Sequence, residues 1–386
     1  MVSLGGFFMA GKNKDITVIL PCLNEASSVG ACVIRARGAL RKLRREGYTG
    51  EVIVVDNGST DRSLHIARAA GARVIIQKIR GYGAAYQKGI RVANNYIVMG
   101  DSDGSYDFRS VPAFVHELER GADVVLGSRY LGDITAGSMP FFHRYIGNPI
   151  LTGTINLFFG SHISDSQTGM RAFTKKAYRS MQMKSLGMEF ASEMIVKAIA
   201  YKLTVKEISI NYYKRSGLSK LSPLRDAWRH INAILIYSPT YAFIIPGLTL
   251  FSAGIIGTAI LLPGPVPVFG HLVDIHTLIM AVLGTSMGLN IVLLGFFTRF
   301  YTVQKLGIPG GKLTDIILRQ ITMARLFILG TILFILALFV IGGITIEWIA
   351  SNFQSLARER ELIAGAGLAM MGTQLLFSSF MFGLLQ

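Results

Sequence analysis

Short apolar runs alternate with amphipathic stretches over the first third of the chain. Ile16–Leu20, Val52–Val55, Arg73–Gln77, Tyr96–Gly100 and Asp123–Gly127 read as strands. Ser27–Arg45, Ser63–Ala70, Ala84–Asn94 and Val111–Arg120 carry helical spacing between them. Such alternation predicts βαβ units, an α/β class and a largely parallel sheet. Ligands of parallel sheets bind beyond the carboxyl ends of the strands. Asn24, Asp56 and Asp101 all fall at such ends, so one edge collects them.

Beyond Tyr237 the pattern changes to four long apolar segments, Tyr241–Leu262, His276–Phe297, Leu326–Ile346 and Leu362–Leu385. Each is long enough to cross a hydrocarbon core of about 30 Å as a helix, and Pro246 can kink the first without forbidding it. The link after the second segment holds Arg299, Lys305, Lys312, Arg319 and Arg325 against Asp315, whereas Pro263–Asp274 has no Lys or Arg. The positive-inside rule then puts the N-terminal domain, the Arg299–Arg325 link and the C-terminus in the cytoplasm. Leu224, Trp228, Ile231 and Leu235 form an apolar stripe flanked by Arg225, Arg229 and His230. That pattern suits a helix lying on an anionic leaflet, and a core-facing helix is its bland alternative. The division expected is a tail at 1–15, a catalytic domain at 16–222, a juxtamembrane helix at 223–238 and a membrane domain at 239–386.

Composition agrees with a membrane protein, because mean hydropathy is +0.45 and only 16% of residues are charged. The net charge of +16 admits nucleic acid, an anionic membrane or an anionic substrate as partner. The membrane segments and the lack of an aromatic-rich RNA-reading motif rank nucleic acid last. Cys22 and Cys32 are too few for a disulfide framework and lack metal-ligand spacing, so they read as thiols in a reducing compartment. The apolar opening Met1–Ala10 has no basic residue before it and is too short to span; a loose or interfacial tail is expected.

Candidate chemistry centres on Asp101-Ser102-Asp103. Two carboxylates one residue apart on the turn leaving a buried strand can hold a hard divalent cation and share it with substrate phosphates. Upstream stand Leu20-Pro21-Cys22-Leu23-Asn24-Glu25 and Val54-Val55-Asp56-Asn57-Gly58-Ser59-Thr60-Asp61. Downstream come Gly127-Ser128-Arg129-Tyr130, Ser164-Asp165-Ser166-Gln167-Thr168-Gly169-Met170-Arg171 and Lys214-Arg215-Ser216-Gly217-Leu218-Ser219-Lys220. This ordered set, covering residues 16 to 237, resembles glycosyltransferase family 2, specifically the polyprenyl- or dolichyl-phosphate sugar synthases. The resemblance implies a GT-A fold, Mg²⁺ or Mn²⁺, inversion at the anomeric carbon, and a membrane anchor in the four trailing segments.

It also assigns residues. Pro21, Asn24, Glu25, Asp56, Gly58, Ser59 and Ser102 match the nucleotide-sugar side, although the family's D-D-G-S has Asn57 here in place of its second acid. Asp101 and Asp103 match the metal ligands, with Ser105 as a weaker third and Asp107 as a substitute. Arg129 and Arg171 match family positions and suit the gripping of a lipid phosphate by arginine's planar fork. Asp165, Gln167, Glu189 and Glu193 would line the sugar and acceptor side, with Asp165 and Glu193 contacting sugar hydroxyls or orienting the arginines. Arg215, Ser219 and Lys220 match a loop placed against the donor diphosphate, with Ser219 also assigned to the lipid phosphate, and a juxtamembrane basic cluster binding anionic lipid is the alternative. Gly81-Tyr82-Gly83 lacks the third glycine of a dinucleotide fingerprint and reads as a nucleotide-proximal helix start whose amides face phosphate, or as a plain helix start.

A lipid monophosphate is largely dianionic at neutral pH, so it needs cationic positioning more than a general base. The expected activity is transfer of one hexose from a nucleotide sugar to a polyprenyl or dolichyl phosphate. The Asp56–Ser59 and Gly104–Tyr106 variants resemble glucose-type members, favouring UDP-glucose over GDP-mannose. A processive polysaccharide synthase is the nearest rival, but its Gln-x-x-Arg-Trp motif is missing. A transporter or scaffold would need ionisable residues within the spans, whose centres are nearly charge-free. A homo-oligomer through the spans stays open.

Overall fold

The computed structural model describes residues 15–217, 223–309 and 320–385. The chain divides into two compact units, Met1–Ile234 and Leu235–Gln386. The boundary falls inside the juxtamembrane helix rather than before it. The expected tail, apart from Asp15, lies outside the described residues, as do Ser219, Lys220, Lys312, Asp315 and Arg319 and the side chains of Leu224, Arg225 and His230.

The first unit is built on β1 (Asp15–Cys22), α1 (Val29–Arg44), β2 (Thr49–Asp56), α2 (Ser63–Ala69), β3 (Arg73–Ile76), α3 (Tyr82–Val92) and β4 (Tyr96–Met99). There follow α4 (Val111–Glu119), β5 (Val124–Ser128), α5 (Asn148–Phe159), β6 (Arg171–Thr174), α6 (Lys175–Met181), α7 (Phe190–Ala200), β7 (Val205–Ser209) and α8 (Pro223–Tyr237). The seven strands form one sheet in the order β3-β2-β1-β4-β6-β5-β7. Strand periodicity of two sorts the side chains between its faces. Val18, Leu20, Val52, Val54 and Val98 pack under α1 and α4 with Cys32, Val33, Ala36 and Phe114. Ile19, Ile53, Val55, Ile97 and Met99 face the other way, against Ala85, Tyr86 and Ile90 of α3 and Met194 and Ile195 of α7. Thr17, buried within this alternation, accepts from the Asn94 amide at 2.9 Å, which satisfies its hydroxyl.

The expectation of a largely parallel sheet needs one correction. β1 pairs in parallel with β2 and β4, β2 with β3, and β5 with β7. β6 runs antiparallel to both β4 and β5, with Arg171 opposite Met99 and Leu126. A strand of four residues beginning with a charged side chain carries too short an apolar run to show in the sequence. The inversion has a consequence for the site: it is the loop entering β6, not the one leaving it, that reaches the edge where β1, β2, β4 and β5 end.

An unforeseen apolar surface also lies on this unit. Phe141 is 73% exposed and Leu157 71%, and Phe142, Tyr145 and Ile150 are exposed with them.

Among the described residues the second unit holds four helices long and apolar enough to cross a membrane, Thr240–Leu261, Ile275–Gln304, Met323–Ala350 and Glu359–Gly383. A short hairpin, Val266–Val268 with His271–Val273, links the first two. Those two touch through glycines, since a Cβ on Gly254 would sit 2.4 Å from the Thr285 amide nitrogen, and one on Gly288 2.3 Å from that of Phe251. Close backbone approach at small residues is how helices associate where lipid removes the hydrophobic drive. Gly254→Leu should therefore lower the melting temperature of the detergent-solubilised protein by several degrees, about 1–3 kcal/mol of overpacking. Gly342→Leu, with nothing within 4 Å of its Cβ position, should leave the melting temperature unchanged.

Candidate active site

A cleft of about 390 Å³ opens at the carboxyl edge of β1, β2, β4 and β5. Pro21, Glu25, Asn57, Asp101, Ser102 and Asp103 line it from the first half of the sheet, and Tyr106, Arg129, Gln167, Tyr212, Arg215 and Arg229 from the second. Tyr212 and Arg215 reach it because β7 is parallel to β5 and ends at the same edge.

The loops after β1 and β2 interlock. Asp56 accepts from the amides of Gly58 and Ser59 at 3.1 Å each, closing its own turn. Asn24 takes a left-handed φ of 51°, donates its amide to Ser59 Oγ at 2.9 Å, and accepts from the Thr60 amide at 2.7 Å. Asn24, Asp56, Gly58 and Ser59 thus use polar atoms to hold two loops in shape. Asn57 donates from Nδ2 to the carbonyls of Gln77 and Ile79 at 3.0 and 2.7 Å, and accepts from the Gly81 amide at 2.8 Å.

Gly81 and Gly83 are required by packing. A Cβ on Gly83 would lie 2.4 Å from the Ser185 carbonyl oxygen, and one on Gly81 2.2 Å from that of Leu186. The amides of Gly83 and Ala84 donate to the carbonyls of Gly187 and Leu186. Those amides face a protein loop rather than a phosphate, which corrects the nucleotide assignment of Gly83. The plain helix start, left open by the sequence, fits this geometry.

The acidic pair sits on the turn after β4. Ser102 is buried and donates to the Pro21 carbonyl at 2.6 Å, fixing the turn to β1. Asp101 and Asp103 both face the cleft. Burial and then the charge of Asp103 push the Asp101 carboxyl up to about 7. Asp103 accepts from the amide and hydroxyl of Ser105 at 3.0 and 2.6 Å. Ser105 is buried and commits its proton to Asp103, so it orients a ligand instead of being one. Asp107 instead pairs with Arg109 at 2.8 Å. Arg215 bridges two acids, reaching Glu25 at 3.4 Å and Asp103 at 3.7 Å. Among the described residues no cluster of three or more His, Cys, Asp or Glu side chains forms, so the acids offer a two-carboxylate donor set.

The two predicted phosphate-gripping arginines part company. Arg129 makes a two-point pair with Asp165, Nε to Oδ2 at 2.7 Å and Nη2 to Oδ1 at 2.8 Å, beneath the Tyr212 ring. Nη1 is left without a hydrogen bond among the described residues, and Arg129 lines the cleft. Asp165 is fully buried, so it orients Arg129 and does not meet a sugar. Glu207, which gave no sequence signal, holds this acid in turn by accepting from the amides of Ser164 and Asp165.

Arg171 is fully buried and donates to the carbonyls of Thr168, Ala191 and Ser166 at 2.9, 2.6 and 2.9 Å. It ties the entering loop of β6 to α7 and cannot grip a lipid phosphate; burial lowers its pKa from the usual arginine range. Glu193 is likewise corrected. It is fully buried, pairs with Lys197 at 2.8 Å, and accepts from the amides of Lys184 and Ser185. Its work is to pin the loop against which Gly81 and Gly83 pack. Glu189 accepts from the Gly187 amide in the same loop. Tyr82, Tyr106 and Tyr212 also wall the cleft; Tyr82 and Tyr106 stand inside Gly81-Tyr82-Gly83 and Gly104–Tyr106 with no such role read for them, and Tyr212 lies outside every motif.

The mixed sheet with its edge cleft and the four apolar helices define a multi-pass membrane glycosyltransferase with a GT-A-like domain. The chain belongs to glycosyltransferase family 2. It matches "Glycosyl transferase family 2" over residues 17–181 and the "Glycosyltransferase family 2 C-terminal transmembrane region" over residues 296–386. It is 36% identical to the low-salt glycan biosynthesis hexosyltransferase Agl6 of Haloferax volcanii, across 95% of this chain and 88% of that one. Similarity to the dolichyl-phosphate hexose transferase of the same organism is 30% identity, across 54% of this chain and 87% of that one. Among solved structures, glucosyl-3-phosphoglycerate synthase of Mycobacterium tuberculosis with Mn²⁺, UDP and phosphoglyceric acid aligns at 18% identity with a TM-score of 0.46, over 58% of this chain and 78% of that one.

Two outcomes follow from this geometry. Arg171→Met leaves three buried carbonyls without their donor and should cost about 3 kcal/mol or more, read as a drop in melting temperature. Asp101, whose pKa is raised from an unfolded value of about 4 to about 7, holds its proton in the folded state across that window. Its contribution is fully present below about pH 4 and is lost as pH rises through about 7. Stability in EDTA should fall between about pH 4 and 7, and Asp101→Asn should flatten that slope in thermal melts.

Proposed function

We propose that this chain transfers one hexose from a nucleotide sugar to a polyprenyl or dolichyl phosphate, with inversion, at the cytoplasmic face of the membrane. The observation that carries the proposal is one cleft holding Asp101 and Asp103 together with Arg129, Arg215 and Arg229, in a chain with four membrane-length helices. The names of the two Haloferax volcanii relatives support hexosyl transfer, and one of them supports the dolichyl phosphate acceptor. The preference for UDP-glucose over GDP-mannose rests on the Asp56–Ser59 and Gly104–Tyr106 motifs, and the cytoplasmic face on the basic link after the second span.

Asp101 and Asp103 would hold Mg²⁺ or Mn²⁺. Two carboxylates suit a cation that keeps several waters and draws further ligands from substrate phosphates. Burial first, and the charge of Asp103 second, raise the pKa of Asp101, and a cation beside the two carboxylates would offset both. Such a metal, when bound, supplies Lewis-acid neutralisation of the leaving diphosphate. Ser105 fixes the carboxylate of Asp103, and Arg215 adds positive charge beside it. Arg129, its fork set by Asp165, presents its remaining face to the acceptor. A phosphate oxygen of the acceptor attacks the anomeric carbon as the bond to the diphosphate breaks, and the electron pair departs with the nucleoside diphosphate. The dianionic acceptor needs no proton removed, so positioning does the work of a base.

Labelled UDP-glucose, UDP-GlcNAc and GDP-mannose offered with Mn²⁺ and an extracted polyprenyl phosphate would test this. Label should enter the lipid fraction from UDP-glucose, and fall about a hundredfold or more with EDTA or Asp103→Ala, since metal stabilisation is worth several kcal/mol. Absence of transfer from every donor, in folded protein that also fails to bind nucleotide, would sink the proposal.

A further inference from the structure

The cleft leaves the basic run on α1 unexplained. Arg37, Arg41 and Arg44 stand at i, i+4 and i+7, so they share one face of that helix. With Arg73, at the start of β3, they line a second cavity of about 470 Å³. Thr49, Gly50 and Glu51 of β2 form its other side. Thr49 opens β2 and Asp56 closes it at the catalytic edge. The cavity therefore lies at the opposite edge of the sheet from the cleft, roughly 23 Å away along one strand.

Local geometry keeps this cavity open. Arg37 Nη1 donates to the Ala70 carbonyl at 2.9 Å, and its guanidinium lies against Gly71, whose φ of 90° and missing Cβ leave it room. β3 pairs with β2 only from Ile53 onward, which leaves the cavity unobstructed along Thr49–Val52. Its charge is largely unmatched. Arg73 pairs at 3.5 Å with Glu51, the one acid among the described lining residues. Arg41 and Arg44 are exposed, and their guanidiniums make no ion pair or hydrogen bond among the described residues. The sequence before Asp15 holds Lys12 and Lys14 and no acid, so the chain entering β1 brings charge of the same sign. Cations in a last turn complement the carbonyl end of a helix, which accounts for Arg41 and Arg44. That effect does not reach Arg37, about two turns from the end, and Arg73 belongs to another element.

We infer that Arg37, Arg41, Arg44 and Arg73 form a second anion site, for a ligand whose phosphate carries two or more negative charges. The site is independent of the proposed transfer reaction. Like charges at i and i+4 on a helix repel, and four guanidiniums here face one carboxylate. A phosphomonoester brings about two negative charges at neutral pH, so one such group, or a diphosphate, carries the cavity close to neutrality. Arginine's fork matches a pair of phosphate oxygens, which lysine meets only as a point charge. The volume suits a small molecule or a single headgroup. Phosphate of this kind comes from solution or from an anionic lipid headgroup, and the recognition chemistry is the same for both.

Calorimetric titration of the full-length protein, in zwitterionic detergent with EDTA, tests this with two probes: inorganic pyrophosphate and monomeric dihexanoyl phosphatidic acid. Arg41→Gln should weaken binding of at least one probe about tenfold or more, the loss expected for a charge-assisted hydrogen bond. Arg73→Gln should do the same, and Arg41→Lys should recover part of the loss. The melting temperature of Arg41→Gln should match the wild type, because that side chain is exposed and unpaired among the described residues. Arg215→Gln, altered in the catalytic cleft, should keep this binding, and Arg41→Gln should keep binding of UDP with Mn²⁺. Pyrophosphate held through these arginines would support the inference with a soluble ligand, and phosphatidic acid held alone would support it with a lipid headgroup. No binding of either probe, binding indifferent to Arg41→Gln and Arg73→Gln, or an equal loss in Arg215→Gln would overturn it.

Discussion

The buried pair between Arg129 and Asp165 is the interaction on which the catalytic edge depends. Neither partner could sit where it does alone. An arginine without its acid would leave a charge in the protein interior, and removing one partner of such a pair typically costs about 3–5 kcal/mol. The pair spans from the end of β5 to the loop entering β6. That loop is held again by Glu207 on its amides and by Arg171 on its carbonyls. The second half of the cleft is thus fixed by ionic and hydrogen-bonded cross-links, while the first half is fixed by strand ends and short turns. Rigidity in both halves suits the proposed reaction, in which two anions are brought together at defined positions.

Charge is distributed in that frame according to burial. Arg171 and Glu193 have no exposure and serve backbone, one donating to carbonyls and the other accepting from amides. Arg129 keeps one face toward the cleft, and Arg215 sits between acids at its mouth. The gradient runs from structural to substrate-facing as solvent access rises, which is the order that desolvation imposes. A guanidinium with all its hydrogen-bonding capacity satisfied by carbonyls has nothing left to offer a phosphate.

Much of this was legible in the sequence, and the failures have physical causes. The five early strands and four helices were read within two or three residues at most ends, because each carries a clean apolar period. The four spans are legible for a different reason, the length and continuity of their apolar runs. β6 was not, since four residues cannot express a period, and its reversed direction follows from pairing partners far away in the chain. Motifs located the cleft but could not assign burial within it. Arg129 and Arg171 look alike as letters in a motif, and only the packing of α7 over Arg171 separates them. Tyr106 and Tyr212, which pack edge to face with centroids 5.3 Å apart, come together through the sheet and not through any local pattern.

Position 57 shows how a departure from a family pattern can be explained by local chemistry. The resemblance leads to expect a second acid after Asp56, and the chain has an amide. Nδ2 of Asn57 donates to two carbonyl oxygens, those of Gln77 and Ile79, while Oδ1 accepts from the Gly81 amide. A carboxylate could keep the last of these bonds, but it would bring a negative oxygen against two carbonyls that need a donor. The amide therefore fixes the path of residues 77–81, and with it the start of α3 and the placement of Tyr82 on the cleft wall. It also leaves one negative charge fewer in the cleft, which suits the two anionic substrates proposed for it. The same substitution that closes the loop lowers the electrostatic cost of filling the site.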